Sequence, residues 1–584
     1  MKRIFLGIKK ASRPARRFFA VCALFGMCGI YGTSTLFAQQ SIPENADFWS
    51  DYPPEQLADF LVSKMSDEEL LSQILMFGWA GAEPSDLLNK WVLDRGLGSV
   101  KVFGWNTDDL VQVAKSVTAL QQKSQSRHFR IPLFVATDQE GGWIRHVKGE
   151  TAMTPGNMAI GASSYPIDAY YSGFYINREI KALGINMNFA PTVDLYTNHN
   201  SSVIGPRSFG EDAEYVGELG AAFVAGSIAA GVIPTAKHFP GHGDTSLDSH
   251  GNLPQINVDY NTLENRELVP FKYLIAEKIP AIMSGHLGFP KIIANGEPAS
   301  LSKVFLTDIL RNKLHYEGLI ITDDMMMNGA TMYAGSLSNA FKLAIEAGND
   351  IVISSTTAKL DENLWTLNLN EMRRSTSFKM IVQKAARRVL LYKLKYFKDK
   401  NAAPLYPDVN TIHQHIPDRE GQQFFLTQAC RSITMYKKGH IPYRPRQGER
   451  ILLAGPKDFP VFFAEAHRLY DKFSADGKTA EFKYDYEMGP IQADWMGNNI
   501  EKMALNYDTI IICTANERNA SVAARLAKTG RRVIIISALS PVPVMDFNWA
   551  DTILFGYSYS PYTFKAIFSA LNGDFEPKGI LPLK

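Results

Sequence analysis

The chain has 584 residues, too many for one ordinary domain, so two domains of unequal size are expected. Hydrophobic residues make up 46% and charged residues 21%, enough for packed cores, and a formal charge of only +2 leaves a nucleic-acid partner without an electrostatic basis. Phe, Trp and Tyr reach 11%; such rings suit the apolar faces of sugars, although most aromatics in any chain serve the core.

The N-terminus reads as a targeting segment. Lys2, Arg3, Lys9, Lys10, Arg13, Arg16 and Arg17 precede an apolar run from Phe18 to Ile30, and small and polar residues then lead to Ala38. Residues 1–38 are expected to be a signal peptide, which points to an exported protein, periplasmic or at the cell surface. The run is short of the ~20 residues that span a membrane, and an uncleaved segment would leave a tethered protein. Met27 stands where a lipoprotein signal places a small residue before its cysteine, which argues against lipid attachment at Cys28 or Cys22. Cys430 and Cys513 remain beyond the segment, without metal-ligand spacing. A disulfide is open to an exported protein, but isolated thiols in apolar surroundings read as core fillers.

From residue 43 the chain alternates. Strand-like runs fall at Ile74–Phe77, Ser99–Phe103, Leu133–Thr137, Ile185–Phe189, Ile233–Ala236, Ala281–Ser284, Leu319–Thr322 and Asp350–Ser354. Helix-like stretches between them include Leu57–Lys64, Asp109–Gln122, Ala169–Ala182, Ala213–Ala230, Tyr260–Glu277 and Leu306–Leu314. Eight such units imply an α/β fold, a parallel (β/α)8 TIM-type barrel over residues 43–397. The basic, proline-containing stretch 398–419 reads as a linker. Residues 420–584, with strands at Arg450–Ala454, Thr509–Cys513 and Arg532–Ser537 and a helix at Asn519–Lys528, read as a smaller α/β sandwich domain.

Polar clusters follow five of the expected strands: DQEGG after the third, NFAPTVD after the fourth, KHFPGHG after the fifth, GH after the sixth and DD after the seventh. Barrels of this kind carry their active sites at those strand ends. The densest stretch, Lys237–His250, holds two aspartates, one lysine and three histidines in fourteen residues. Its order lacks the helical HExxH spacing of a zinc site, so no metal is expected, and its Gly-rich GHGD lacks the spacing of a nucleotide-binding loop.

These motifs resemble glycoside hydrolase family 3, most closely its β-N-acetylglucosaminidase branch. The resemblance runs through DQEGGWIR (138–145), APTVD (190–194), GPRSFGED (205–212), KHFPGHGDTSLDSH (237–250), Leu301–Ser302 and GLIITDDMMMNGA (318–330), and continues at residues 556–584. It implies retaining cleavage with Asp323 as nucleophile and Asp248 with His250 as the acid/base pair. The carboxylate would fix the imidazole tautomer, so that His250 first donates a proton and later takes one from water. Asp138, Arg145, Arg207, Lys237 and His238 match the residues that hold the sugar. The glycine-rich middle of the loop then reads as a turn and hinge between the sugar-holding and proton-transferring ends. Trp143 departs from the family, which often has arginine there, and an indole could stack on a sugar. Asp194, Asp324 and Met325 to Met327 read as structural, and His242 and His286 are open between structural and substrate-facing roles.

The resemblance implies a carbohydrate substrate, a terminal N-acetylglucosamine on cell-wall fragments, chitin oligomers or other glycans, with no cofactor, no nucleic acid and no stable protein partner. Alternatives are phosphorolysis by the same site, since a neutral imidazole repels phosphate less than a carboxylate does, a β-glucosidase of the same family, and a carbohydrate-binding protein with an inactive site.

Overall fold

The computed structural model describes residues 42–201, 203–247, 251–474 and 477–584. The chain divides into two units, Met1–Glu44 and Asn45–Lys584. Of the first only residues 42–44 are described, so the expected signal peptide lies outside the described residues. Within the second, no described helix is long and apolar enough to cross a membrane.

Eight parallel strands close a barrel in sequence order: β1 (Leu75–Phe77), β2 (Ser99–Lys101), β3 (Phe134–Thr137), β4 (Met187–Asn188), β5 (Ile233–Phe239), β6 (Ala281–Ser284), β7 (Leu319–Asp324) and β8 (Ile351–Ser354). Closure runs through β1 and β8, where Leu75 pairs with Val352 and Phe77 with Ser354. Every strand lies within three residues of its expected position, because the expected runs are largely apolar and buried on both faces. The two exceptions in length bear on function. β5 continues past Ala236 to Phe239, and β7 past Thr322 to Asp324, so Lys237, His238 and Asp323 project from strand ends rather than from loops.

The helices follow capping chemistry. Ala213–Ala230 starts at Asp212, whose carboxylate accepts from the Tyr215 backbone N–H at 3.1 Å, and stops at Gly231 in the left-handed conformation. Tyr260–Glu277, expected as one helix, breaks at Leu268 ahead of Pro270.

The second domain is a six-stranded sheet of β9 (Thr434–Lys437), β10 (Ile451–Pro456), β11 (Ala480–Tyr484), β12 (Thr509–Thr514), β13 (Arg532–Ser537) and β14 (Thr552–Phe555). Its order is β9-β14-β13-β12-β10-β11, parallel except for the antiparallel edge pair β9 and β14. Apolar clusters cover both faces. One of them includes Met158, Ala159, Ala162 and Tyr196 from the barrel segment, so the two sequence regions share a core. Arg431 pairs with the buried Asp168, and the Ile580 N–H donates to the Ala162 carbonyl at 2.9 Å.

The stretch 398–419 does not run free. Ile412 and Ile416 are buried in the barrel's main apolar cluster, with Leu405 and Val409 packed against it, and Ile412–His415 is helical. Its prolines and charges suggested a linker, but its apolar residues fall on one side and seal the barrel wall. Cys513 is buried in β12, where the lack of solvation pushes its thiol far up, and half-buried Cys430 is likewise free.

Candidate active site

The mouth of the barrel holds an array of fixed charges. Asp138, just after β3, accepts from Lys237 Nζ at 2.6 Å and lies 2.9 Å from Lys101 Nζ. Glu140, two residues on, takes both Arg207 Nε (2.9 Å) and Nη2 (2.7 Å) and sits 2.7 Å from the same Lys237 Nζ. Lys237 is therefore clamped between two carboxylates from one hairpin, in which residues 139–141 pair with 144–145. Burial alone would raise both carboxyls. The neighbouring cations win, holding Asp138 well below the usual carboxylate range and Glu140 at about 2. Burial works equally against Arg207, and Glu140 overcomes it, keeping the guanidinium above its ordinary range.

Asp323, at the end of β7, faces this array. Burial would raise its carboxyl, but His238, His286, Lys101 and the Asp324 backbone N–H, which donates to Oδ1 at 2.8 Å, bring it down to about 2. Lys101, Lys237 and Arg207 thus offset Asp138, Glu140 and Asp323, with Asp194 a further buried carboxylate behind His238. His238 Nε2 stands 4.0 Å from Asp323 Oδ2, and its Nδ1 is 2.7 Å from Asp194 Oδ2.

Asp194 sets that geometry. Wholly buried, it accepts from the His238 backbone N–H at 3.2 Å and the His242 backbone N–H at 2.7 Å as well as from the His238 ring. An N–H on Nδ1 aimed at a carboxylate selects the tautomer and fixes the ring plane. His242 contributes backbone only. Burial holds its ring down at about 4, and neither ring nitrogen has a partner among the described residues. His286 is anchored by Ser300 Oγ at 2.7 Å and the Asp324 carbonyl at 3.1 Å, close enough to Asp323 to act on it by charge. Asp324 ties the turn after β7, accepting from the backbone N–H groups of Met326 (3.1 Å) and Ser355 (3.0 Å).

Asp248 and His250 lie outside the described residues. Two other expectations change. Arg145 is not drawn into the array; its guanidinium is held by the Thr151 carbonyl and hydroxyl, with Glu179 and Tyr559 as its charged and polar neighbours. Tyr559 belongs to the second domain, so the guanidinium lies beside that domain. Trp143 likewise packs on the apolar core of that domain. The missed residues are Lys101 and Glu140. A lone lysine inside the apolar run Ser99–Phe103 was the available signal for the first, and its place in DQEGG for the second.

The glycines after β5 serve close packing rather than a hinge. A Cβ on Gly243 would lie 1.4 Å from the Leu195 carbonyl oxygen, and one on Gly241 would lie 2.9 Å from Glu267. Glu267 is buried, with Oε1 accepting from Arg266 Nε at 2.6 Å and Oε2 unpartnered among the described residues. Burial outweighs Arg266 and pushes its carboxyl up to about 7. Because the folded value is raised, the protonated carboxyl favours folding below the ordinary carboxylate range, and that contribution is lost as pH rises through about 7. Glu267→Gln should therefore flatten the decline of Tm over this window, as followed by thermal unfolding at stepped pH. Glu179, also pushed up to about 7 by burial, supplies slope that remains.

Comparison with known proteins agrees with this architecture. The profile described as the glycosyl hydrolase family 3 N terminal domain matches residues 66–390, more than half the chain. The chain belongs to glycoside hydrolase family 3. It is 31% identical over 407 residues to a protein named Beta-hexosaminidase A from Pseudoalteromonas piscicida, covering 60% of this chain and 67% of that one. A Beta-hexosaminidase from Tolumonas auensis is 35% identical over 261 residues, 44% of this chain and 75% of its own. Among solved structures, a family 3 β-N-acetylglucosaminidase from a Paenibacillus species superposes with a TM-score of 0.78 at 26% identity over 89% of this chain and 99% of that one. A fungal multi-domain family 3 β-N-acetylglucosaminidase gives 0.80 at 27%, over 89% of this chain and 61% of the longer fungal protein. Family 3 enzymes are glycoside hydrolases, and the paired sheets seen here, a closed barrel and a mixed sheet, match the architecture of the Paenibacillus enzyme.

Proposed function

We propose that this family 3 protein is an exported, retaining exo-β-N-acetylglucosaminidase that removes terminal N-acetylglucosamine from cell-wall fragments, chitin oligomers or other glycans. The observation that carries the reading is Asp323, an ionised carboxylate at the end of a barrel strand facing a cage of ion-paired donors and acceptors. A sugar ring presents hydroxyls in several directions, and Asp138, Lys237, His238 and Arg207 with its Glu140 offer fixed groups of both kinds. The names of the relatives supply the acetamido sugar. Export rests on the basic segment and apolar run of residues 2–30.

In this reading Asp323 attacks the anomeric carbon as the bond to the leaving oxygen breaks, and that oxygen takes its proton from His250, paired with Asp248. Water then attacks the glycosyl–aspartate, gives its proton to His250 and frees Asp323. Asp194 and the cage act in both steps by holding His238 and the ring in place.

The test is a panel of aryl glycosides with the mature protein. The N-acetylglucosaminide should turn over with kcat/KM roughly 100-fold above that of the glucoside, a site built around hydrogen bonds discriminating strongly; equal values would remove the acetamido assignment. Repeating the assay in phosphate should yield free sugar. Sugar 1-phosphate as the main product would make the enzyme a phosphorylase.

A further inference from the structure

The segment that follows the helix Pro561–Asn572 leaves its own sheet and runs onto the barrel, and nothing in the proposed chemistry uses it. The Gly579 N–H still donates to the Ile433 carbonyl at 3.0 Å, beside the start of β9. From Ile580 onward its partners belong to the barrel. The Ile580 N–H donates to the Ala162 carbonyl (2.9 Å), the Pro582 carbonyl accepts from the Glu211 N–H (3.2 Å), and the Lys584 N–H donates to the Glu211 carboxylate (2.5 Å). Leu583 is 7% exposed and shares a buried cluster with Met158, Ala159, Ala162 and Tyr196. The fit is close. A Cβ on Gly210, whose φ of +150° already favours glycine, would lie 2.7 Å from the Pro582 carbonyl oxygen.

What this segment holds is the turn that follows Arg207. The Ser208 hydroxyl is 2.7 Å from the carbonyl oxygens of both Asp194 and Gly210, and the Gly210 carbonyl accepts from the Tyr196 N–H at 3.0 Å. Asn157, next to Met158 of the shared cluster, donates to the Arg207 carbonyl at 2.7 Å. Arg207 reaches the cage through Glu140, and Asp194 reaches it through His238. The backbones of both are thus tied to a turn whose Gly210 and Glu211 rest on residues 580–584. Misplacement of a site residue by ~1 Å, even from far away, costs a rate about 100-fold.

We propose that residues 580–584 are a positioning brace for the cage, in which Pro582 and Leu583 hold the Ser208–Gly210 turn and, through it, Arg207 and Asp194 in the geometry the sugar requires. This rests on the functional reading above. The second domain then contributes to the reaction through positioning residues, by supporting side chains of the barrel that face the sugar.

The experiment is steady-state kinetics on the best aryl glycoside of the panel, well below the Tm of every variant. Leu583→Ala should lower kcat/KM about tenfold, whereas Leu583→Met, which nearly conserves volume, should stay within about threefold of wild type. Leu571→Ala is the control. It empties a site in the apolar cluster on the other face of the same sheet, so it should lower Tm and leave kcat/KM unchanged. Ser208→Ala should also lower kcat/KM, and combining it with Leu583→Ala should cost less than the product of the two single losses. Should Leu583→Ala fail to fold, Leu583→Val decides in its place, with a loss of about threefold expected. The brace is overturned if the Leu583 variant keeps wild-type kcat/KM, if Leu571→Ala loses as much, or if the combined losses multiply. A second readout needs no turnover. The His238 Nδ1–H, directed at Asp194, should give a downfield proton resonance that His238→Gln removes, and Leu583→Ala should shift it while Leu571→Ala does not. Wild-type protein that cleaves no glycoside of the panel would overturn the functional reading, and this resonance would then decide the brace by the same comparison.

Discussion

Asp323→Asn should lower kcat on an aryl N-acetylglucosaminide by roughly 10^4-fold or more, the scale on which loss of a covalent nucleophile is felt. The change is nearly isosteric. The amide oxygen can still accept the Asp324 backbone N–H that reaches Oδ1 at 2.8 Å, so the fold should persist and circular dichroism should be unaltered. What disappears is the anionic oxygen that would bond to the anomeric carbon. With its carboxyl at about 2, Asp323 is ionised across any working pH. An acid limb of activity between about pH 4 and 6 would therefore belong to another group. His250→Ala should behave differently, losing much less with a leaving group that needs no proton and far more with a poor one. A residual rate for Asp323→Asn within about tenfold of wild type would remove it as nucleophile.

Lys237→Met should be the most destabilising single change at the site, by about 3–5 kcal/mol. The ammonium lies 2.6 Å from Asp138 and 2.7 Å from Glu140, with its side chain almost fully enclosed. Burial penalises the lysine charge, yet its pKa is raised, because the two carboxylates more than offset that penalty. Removing one cation leaves two buried anions to share Lys101 and Arg207, and uncompensated buried charge is what makes such substitutions costly. Thermal unfolding should show a large fall in Tm, and adding Asp138→Asn should recover part of it, a coupling that independent sites would not show. A loss below about 1 kcal/mol would mean that the cage relaxes or admits water.

The barrel was legible because its strands are short, apolar and evenly separated by helical stretches, and runs buried on both faces announce themselves. Strand ends were less so. β5 and β7 continue into polar residues because Lys237 bridges Thr192 beyond the end of β4 and Asp324 pairs with Ile353 of β8, a pairing invisible in one dimension. The prolines of residues 398–419 advertised a linker, while Ile412 and Ile416 were already the better guide. Lys101 and Glu140 escaped notice since a buried charge is recognised by its partner, and their partners lie 37 and 67 residues away, at Asp138 and Arg207. Trp143 and Arg145 sit inside a catalytic-looking motif but lie beside the second domain.

By itself the sequence determined the barrel, the order of its strands and the set of polar residues placed at their C-terminal ends, because periodicity and motif spacing are local properties. Only the tertiary structure decided which of those residues meet. Closing β1 on β8 brings the ends of β2, β3, β5 and β7 around one mouth, where Lys101, Asp138, Lys237 and Asp323 share a single electrostatic environment. The same closure places Asp194 behind His238, since distance, burial and ion pairing belong to the folded arrangement and to no segment of it.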